Sequence, residues 1–220
     1  MAATSWVDDE RSRRLMRRWS ASCMRRLGIE TTVEDHNVAY DDPPYLFVHL
    51  NQASLLEPFF YALVIPLRLR IVMNIEFALI PVLGTSLVAM GGRVIVRQHP
   101  ASAKRVMAGV ARAMREKGHA FALSVEGRRS PDGALSPFKR GAAVLAIEAQ
   151  ARVVPFYTAG TYDALPMGEW RPRPGHVHAT LYPSIDTRGL TFADRGALTE
   201  RLRALGDRSV RDARPEHGAR

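Results

Sequence analysis

The sequence predicts an α/β fold: a single domain with a mostly buried central sheet flanked by helices, preceded by an N-terminal amphipathic helix. Three observations predict it. From Pro44 onward, short apolar runs of strand length alternate with longer stretches of helical periodicity. The 220 residues are 46% hydrophobic and 24% charged, the balance of a chain with one sizeable core. No internal repeat or low-complexity linker divides the chain.

Residues 8–28 read as the first helix. Leu15, Trp19, Cys23 and Leu27 recur every fourth residue with Met16 in the same arc, Arg11, Arg14, Arg17, Arg18 and Arg25 lie opposite, and Gly28 stops the helix. Residues 45–50 form an apolar strand and 56–64 an apolar helix. Residues 70–73 and 94–96 read as further strands, and 103–117 as a helix with Val106, Val110, Ala113 and Met114 on one face. A buried strand at 120–125, a helix at 141–150 and a strand at 153–158 follow. Residues 176–182 alternate as a late strand, and 192–205 close as a helix. This divides the chain into a basic membrane-surface helix at 1–30, a domain at 31–205 and a frayed polar tail at 206–220.

The formal net charge of +9 comes from 31 basic and 22 acidic residues, and only Lys104, Lys117 and Lys139 among the basic ones are lysines. Arginine in such excess addresses phosphate or carboxylate bidentately, on nucleic acid, an anionic membrane or a phosphorylated substrate. No nucleic acid is expected, because aromatic residues are not interleaved with the arginines as stacking platforms and no reader motif occurs. The first helix has two readings: a surface helix docking its apolar stripe on the domain, or an interfacial helix with arginines on lipid phosphates. A spanning helix is not expected. The longest uncharged run, residues 77–92, holds Pro81 and Gly84 and falls short of the roughly 20 residues a bilayer needs. Charged residues where a signal peptide would be apolar make the expected location cytoplasmic, peripheral on the inner face of the cell membrane.

Cys23 is the single cysteine, which excludes a disulfide framework and a cysteine-based zinc site. His176 and His178 share a strand face without a third ligand, so no metal is expected.

Three loops at strand ends carry the chemistry: Asn51-Gln52-Ala53-Ser54-Leu55-Leu56-Glu57; Gly91-Gly92-Arg93-Val94-Ile95-Val96-Arg97; and Ser124-Val125-Glu126-Gly127-Arg128-Arg129-Ser130, the last followed by Pro137-Phe138-Lys139-Arg140-Gly141. Open α/β sheets place ligands at the carboxyl ends of strands. Val153-Val154-Pro155 lies just beyond. In this order the blocks resemble the glycerolipid acyltransferase family, typified by the lysophosphatidic acid acyltransferases, over about residues 40–185. That family carries Asn-His-x-Ser-x-x-Asp, Gly-x-x-Phe-x-x-Arg, Phe-Pro-Glu-Gly-Thr-Arg-Ser and Val-Pro.

The resemblance implies acyl transfer from acyl-CoA or acyl carrier protein, as donor substrate and not bound cofactor, to a lysophospholipid or other glycerol-type hydroxyl. It implies a histidine base oriented by an aspartate, at the positions of Gln52 and Glu57. It further implies substrate-binding parts for Asn51, Ser54, Arg97, Glu126, Gly127 and Arg129, with Lys139 as a further candidate. Gln52 departs from the family because a neutral amide has no usable basic nitrogen, and a positioned base contributes roughly 10²- to 10⁴-fold. Two groups are candidates to replace it: His49, three residues earlier on the strand, and Glu57 itself, if burial raises its pKa. The alternative to an enzyme is a catalytically silent lipid- or acyl-thioester-binding protein on the same fold.

Overall fold

The computed structural model describes residues 10–36, 38–80, 83–96 and 98–213. Helix α1 (Glu10–Arg26) is followed by β1 (Ile29–Asp35), β2 (Tyr45–His49), α2 (Glu57–Val64), β3 (Leu69–Asn74), α3 (Ile75–Ala78), α4 (Leu83–Ala89) and β4 (Arg93–Ile95). Then come α5 (Pro100–Lys117), β5 (Ala120–Ser124), α6 (Gly141–Ala149), β6 (Arg152–Ala159), α7 (Thr161–Ala164), β7 (Gly175–Leu181), β8 (Ile185–Asp186) and α8 (Arg195–Ala213), the last preceded by a 3-10 turn at Phe192–Asp194.

The strands form one sheet in the order β1-β7-β6-β2-β5-β3-β4, with β8 added against β6. Strands β6, β2, β5, β3 and β4 are mutually parallel, whereas β7 runs antiparallel to β6 and β1 parallel to β7. Central strands buried on both faces read as continuous apolar runs. Tyr45, Leu46, Phe47 and Val48 of β2 are all at most 1% exposed. Alternation along β2 then sorts its side chains between two cores. Leu46 and Val48 join α5, α6 and α8 on one face, while Tyr45 and Phe47 join Tyr61 and Val64 of α2 on the other. Neighbouring strands β2 and β5 therefore send their following helices to opposite faces. That divergence opens a crevice at their carboxyl ends, where such sheets bind ligands.

Every strand expected from the sequence forms, within one or two residues of the expected bounds. Several elements were not expected. Strand β1 is polar and exposed beyond Ile29, the composition of an edge strand, and reads as loop in sequence. The short α3, α4, α7 and β8 are too brief for a periodic signal. The polar tail expected from Gly206 is corrected by the structure: α8 continues to Ala213, with Gly206 and Ser209 buried, and residues 214–220 lie outside the described residues. A Cβ on Gly206 would meet the Phe138 ring at 3.0 Å, and the Ser209 hydroxyl pairs with the Tyr182 hydroxyl at 2.7 Å. The expectation failed because the arginines that mark this stretch as solvated lie on the outer face of a docked helix.

Helix α1 docks only in part. Ser20 and Met24 are buried against α2 and β1, and Trp19 meets Phe59 of α2 with ring centroids 5.2 Å apart. The start of the apolar stripe is left outside, with Leu15 66% and Trp19 46% exposed. Among the described residues, no helix is long and apolar enough to cross a membrane.

Candidate active site

The site is built where the chain leaves β2. Asn51 is buried, and its side-chain amide closes two hydrogen bonds onto one residue of β6: Nδ2 donates to the Thr158 carbonyl at 2.8 Å and Oδ1 accepts from the Thr158 N–H at 3.0 Å. An asparagine side chain thus continues the β2–β6 ladder one step past the strand end. Ser54 is fully buried and accepts the Leu56 N–H at 3.2 Å. Both residues, expected against the substrate, sit within the loop's own hydrogen bonding and shape it from inside.

Glu57 opens α2 and fastens the preceding loop to it. Leu56, the residue before the helix, makes no side-chain capping bond, and Glu57 Oε1 accepts the N–H groups of Ala53 and Ser54 instead, the latter at 2.9 Å. The residue is 1% exposed, and its second oxygen, Oε2, has no hydrogen-bond partner among the described residues. Burial pushes the Glu57 carboxyl up to about 8, the two N–H donors opposing, Glu126 adding to the rise and Arg129 opposing. A buried carboxyl resists ionisation because its anion loses the hydration that stabilises it in water.

Glu126 joins this loop to the next. Its two oxygens accept the N–H groups of Gln52 and Ser136, and Ser130 donates its N–H to the Gln52 carbonyl at 2.6 Å. The carboxyl is 2% exposed and raised above its ordinary value by burial, against the pull of those donors. Gly127, at φ +68°, turns the chain in the left-handed region that glycine enters at little cost. The turn brings the half-buried Arg129 into electrostatic reach of Glu57. Exposed Lys139 donates its backbone N–H to the Val125 carbonyl at 2.7 Å, and it borders both the cavity beside Glu57 and a second cleft formed with Glu126, Gly127 and Arg128.

A cavity of about 250 Å³ lies between these loops and the β3–α3–α4 segment. Gln52, Glu57, Ser124, Gly127 and Lys139 border one part, and Ile71, Met73, Phe77, Leu87, Ile95 and Met107 make the rest apolar. Gln52 and Glu57 are therefore brought together on one wall. His49 is not on it: its ring is fully buried, stacked on Phe156 at 4.6 Å, with Nδ1 3.1 Å from the Tyr61 hydroxyl and Nε2 2.9 Å from the Thr158 hydroxyl. Burial drives His49 down to about 3, so the ring stays neutral. Arg97 lies outside the described residues.

One residue of the cavity escaped sequence reasoning. Asn74, the last residue of β3, is 7% exposed, borders the cavity, and has neither Oδ1 nor Nδ2 hydrogen-bonded among the described residues. An asparagine between a strand and a helix reads as a cap, yet it makes no capping bond to α3. Thr158 was missed as well; no sequence signal links it to Asn51, 107 residues away.

Among the described residues, no group of three or more His, Cys, Asp or Glu side chains is placed to hold a metal ion. His176 and His178 share the Thr32 hydroxyl, at 3.1 and 2.7 Å, in a surface ladder between β7 and β1.

Residues 30–159 match the family model described as Acyltransferase. The chain is 33% identical over 137 residues to a 1-acyl-sn-glycerol-3-phosphate acyltransferase of Limnanthes alba, covering 62% of this chain and 49% of that one. It is 34% identical over 109 residues to the human 1-acyl-sn-glycerol-3-phosphate acyltransferase alpha, covering 50% and 38%. The chain spans about half the length of the curated relatives it matches. The crystal structure of the 1-acyl-sn-glycerophosphate (LPA) acyltransferase, PlsC, from Thermotoga maritima superposes with a TM-score of 0.78 at 21% identity, covering 91% of this chain and 79% of that one, a likeness of fold.

Proposed function

The chain belongs to the acyltransferase family, and from that premise we propose that it transfers an acyl chain from acyl-CoA or acyl carrier protein to the free hydroxyl of a lysophospholipid. One observation carries the reading: Glu57 is buried, borders the apolar cavity beside Gln52, and keeps an Oε2 that no hydrogen bond satisfies among the described residues. A carboxylate raised to about 8 is a far stronger base than an ordinary one.

In this mechanism the acyl chain lies along the apolar wall, with its thioester carbonyl near Gln52. The acceptor hydroxyl gives its proton to Glu57 Oε2 as its oxygen bonds to the carbonyl carbon. The tetrahedral adduct then collapses, the carbon–sulfur bond breaks, and the thiolate leaves, taking up the proton from the Glu57 carboxyl. Gln52 positions rather than abstracts, its amide able to donate to one oxygen and accept from another. Arg129 and Lys139 hold the acceptor's phosphate.

The anionic membrane surface is part of the same proposal. The exposed Leu15 and Trp19 of α1 stand among the exposed Arg11, Arg14, Arg17 and Arg18, the composition of an interfacial helix. Leu79 and Val88, 74% and 47% exposed, belong to the segment whose Phe77 and Leu87 border the cavity, which suits a mouth opening toward lipid. The inner face of the cell membrane is the location this implies.

Gln52 favours a second reading, the silent binding protein. Purified protein with labelled acyl-CoA or acyl carrier protein and a panel of lysolipids separates the two. The enzyme yields acylated lipid, and Arg129→Ala and Glu57→Gln each suppress it. Retained lipid binding without product from any donor would transfer the assignment to the silent reading.

A further inference from the structure

At the opposite edge of the sheet, the amino ends of β2, β5 and β3 frame a second cavity, of about 310 Å³. Arg68, Arg70 and His119 line it together with Tyr40, Tyr45 and Leu67. Arg70 is 6% exposed, a degree of burial at which arginine is nearly always paired with a carboxylate. Here its Nη2 donates to His119 Nε2 at 3.2 Å, a neutral acceptor. Arginine only donates, so Nε2 carries no proton, and the His119 ring presents Nδ1–H as a further donor.

The charges around Arg70 are positive. Arg68 and Arg93, after burial itself, lower its pKa to about 10, and burial with Arg70, Lys117, Arg68 and Arg93 lowers His119 to about 4. Two carboxylates near this edge, Asp42 and Asp186, hold Arg152 and Arg188 in a separate cluster, with Asp42 2.9 and 2.8 Å from the two guanidinium groups, and a third, Asp35, meets the Tyr40 hydroxyl. The fold also makes room for the Arg70 side chain. Its stem passes the left-handed Gly91, where a Cβ would stand 3.2 Å from Nε. A buried guanidinium such as Arg70, hydrogen-bonded to a neutral ring and flanked by cations, is costly until an anion neutralises it.

We propose that this cavity is an anion site for a phosphomonoester, held by the Arg70 guanidinium with Arg68 and His119 on the wall, while Arg93, bonded to the Gly91 and Gly92 carbonyls, adds its charge from outside. Two arginines and a ring N–H on the wall, with the positive charge of Arg93 nearby, suit a dianion better than a single carboxylate, and the Tyr40, Tyr45 and Leu67 wall leaves space for the group the phosphate is attached to. The site is separate from the candidate active site: Arg70 and Asn74 lie at opposite ends of β3, about 13 Å apart. The same phosphate chemistry could reach the cavity on a soluble molecule or on a lipid headgroup.

The test is a phosphate titration of the full chain, followed by thermal unfolding against chloride at equal ionic strength. The expected result is a saturable rise in the unfolding midpoint, with apparent affinity weakened at least about tenfold in Arg70→Gln. The Arg70-dependent part is the readout, because Arg129 and Lys139 give phosphate a second seat. Arg93→Gln, at an exposed residue, keeps the test alive if Arg70→Gln fails to fold, and should weaken the effect several-fold. Sedimentation with phosphatidylcholine vesicles containing phosphatidic acid or phosphatidylglycerol then finds the source. A loss confined to phosphatidic acid in Arg70→Gln supports a lipid headgroup, and unchanged vesicle binding beside the lost phosphate effect supports a soluble ligand. A shift that chloride reproduces, or one that both variants retain, overturns the proposal.

Discussion

Glu57 Oε2 lies 3.8 Å from His49 Nδ1, yet the two residues meet as neutral groups and not as an ion pair. Burial moves each toward its uncharged form, His49 to about 3 and Glu57 to about 8. The imidazole is satisfied by the Tyr61 and Thr158 hydroxyls, and Oε2 of Glu57 is left without a hydrogen-bond partner among the described residues.

Glu57→Gln follows directly. The amide oxygen can still accept the Ala53 and Ser54 N–H groups, so the loop survives while the ionisable group is lost. Acyl transfer should fall about 10²- to 10⁴-fold. In the wild type, activity should rise with pH up to about 8, as the carboxyl ionises. Stability runs the other way. A folded pKa raised from 4.5 to about 8 contributes stability that is full below 4.5 and is lost as pH climbs to about 8. Urea unfolding at pH 9 should therefore find Glu57→Gln more stable than wild type by a few kcal/mol, since each tenfold change in proton affinity is worth about 1.4 kcal/mol.

Gln52→His restores an imidazole on a loop that need not move, since the Gln52 backbone is fixed by Glu126 and Ser130. Initial rates should rise about 10- to 100-fold at pH 7. A variant with unchanged rates and an intact circular dichroism spectrum would count against the cavity wall as the reaction site.

Asn51→Leu leaves the N–H and C=O of Thr158 buried without their partner. The expected cost is about 2–4 kcal/mol in urea unfolding, from two unsatisfied backbone groups. Activity should fall with it, because the same loop carries Gln52 and Glu57.

Leu15→Glu tests the exposed stripe of α1. The side chain is 66% exposed, so unfolding free energy should change by less than about 0.5 kcal/mol. Sedimentation with anionic vesicles should drop several-fold, and equal sedimentation would remove α1 from the membrane contact.

What the sequence made legible was set by how locally each feature is encoded. The strands β2, β5 and β6 announce themselves as apolar runs because both faces are buried, and the blocks around Gln52, Gly127 and Lys139 are contiguous. The site residues divide on a property no block records, the direction of the side chain. Gln52 and Lys139 border the cavity, while Asn51, Ser54 and Glu126 spend their polar atoms on backbone groups. Strand alternation turns His49 away from Gln52, and its ring lies in the α2-side core. Asn74 and the Arg70 cavity were illegible because each depends on an absence, a missing partner, which only three-dimensional packing reveals.

The pairing of β1 orders events in time. Its only neighbour in the described sheet is β7, in a register that joins Ile29 to Gly175. A strand cannot close until its partner exists, so on a chain growing from its amino end β1 emerges before the other strands described and finds its place among the last. During that interval the arginine-rich helix has its packing on α2 but not the edge strand that follows it. A lipid surface met then would hold the chain at α1 while the rest of the sheet assembles beside it.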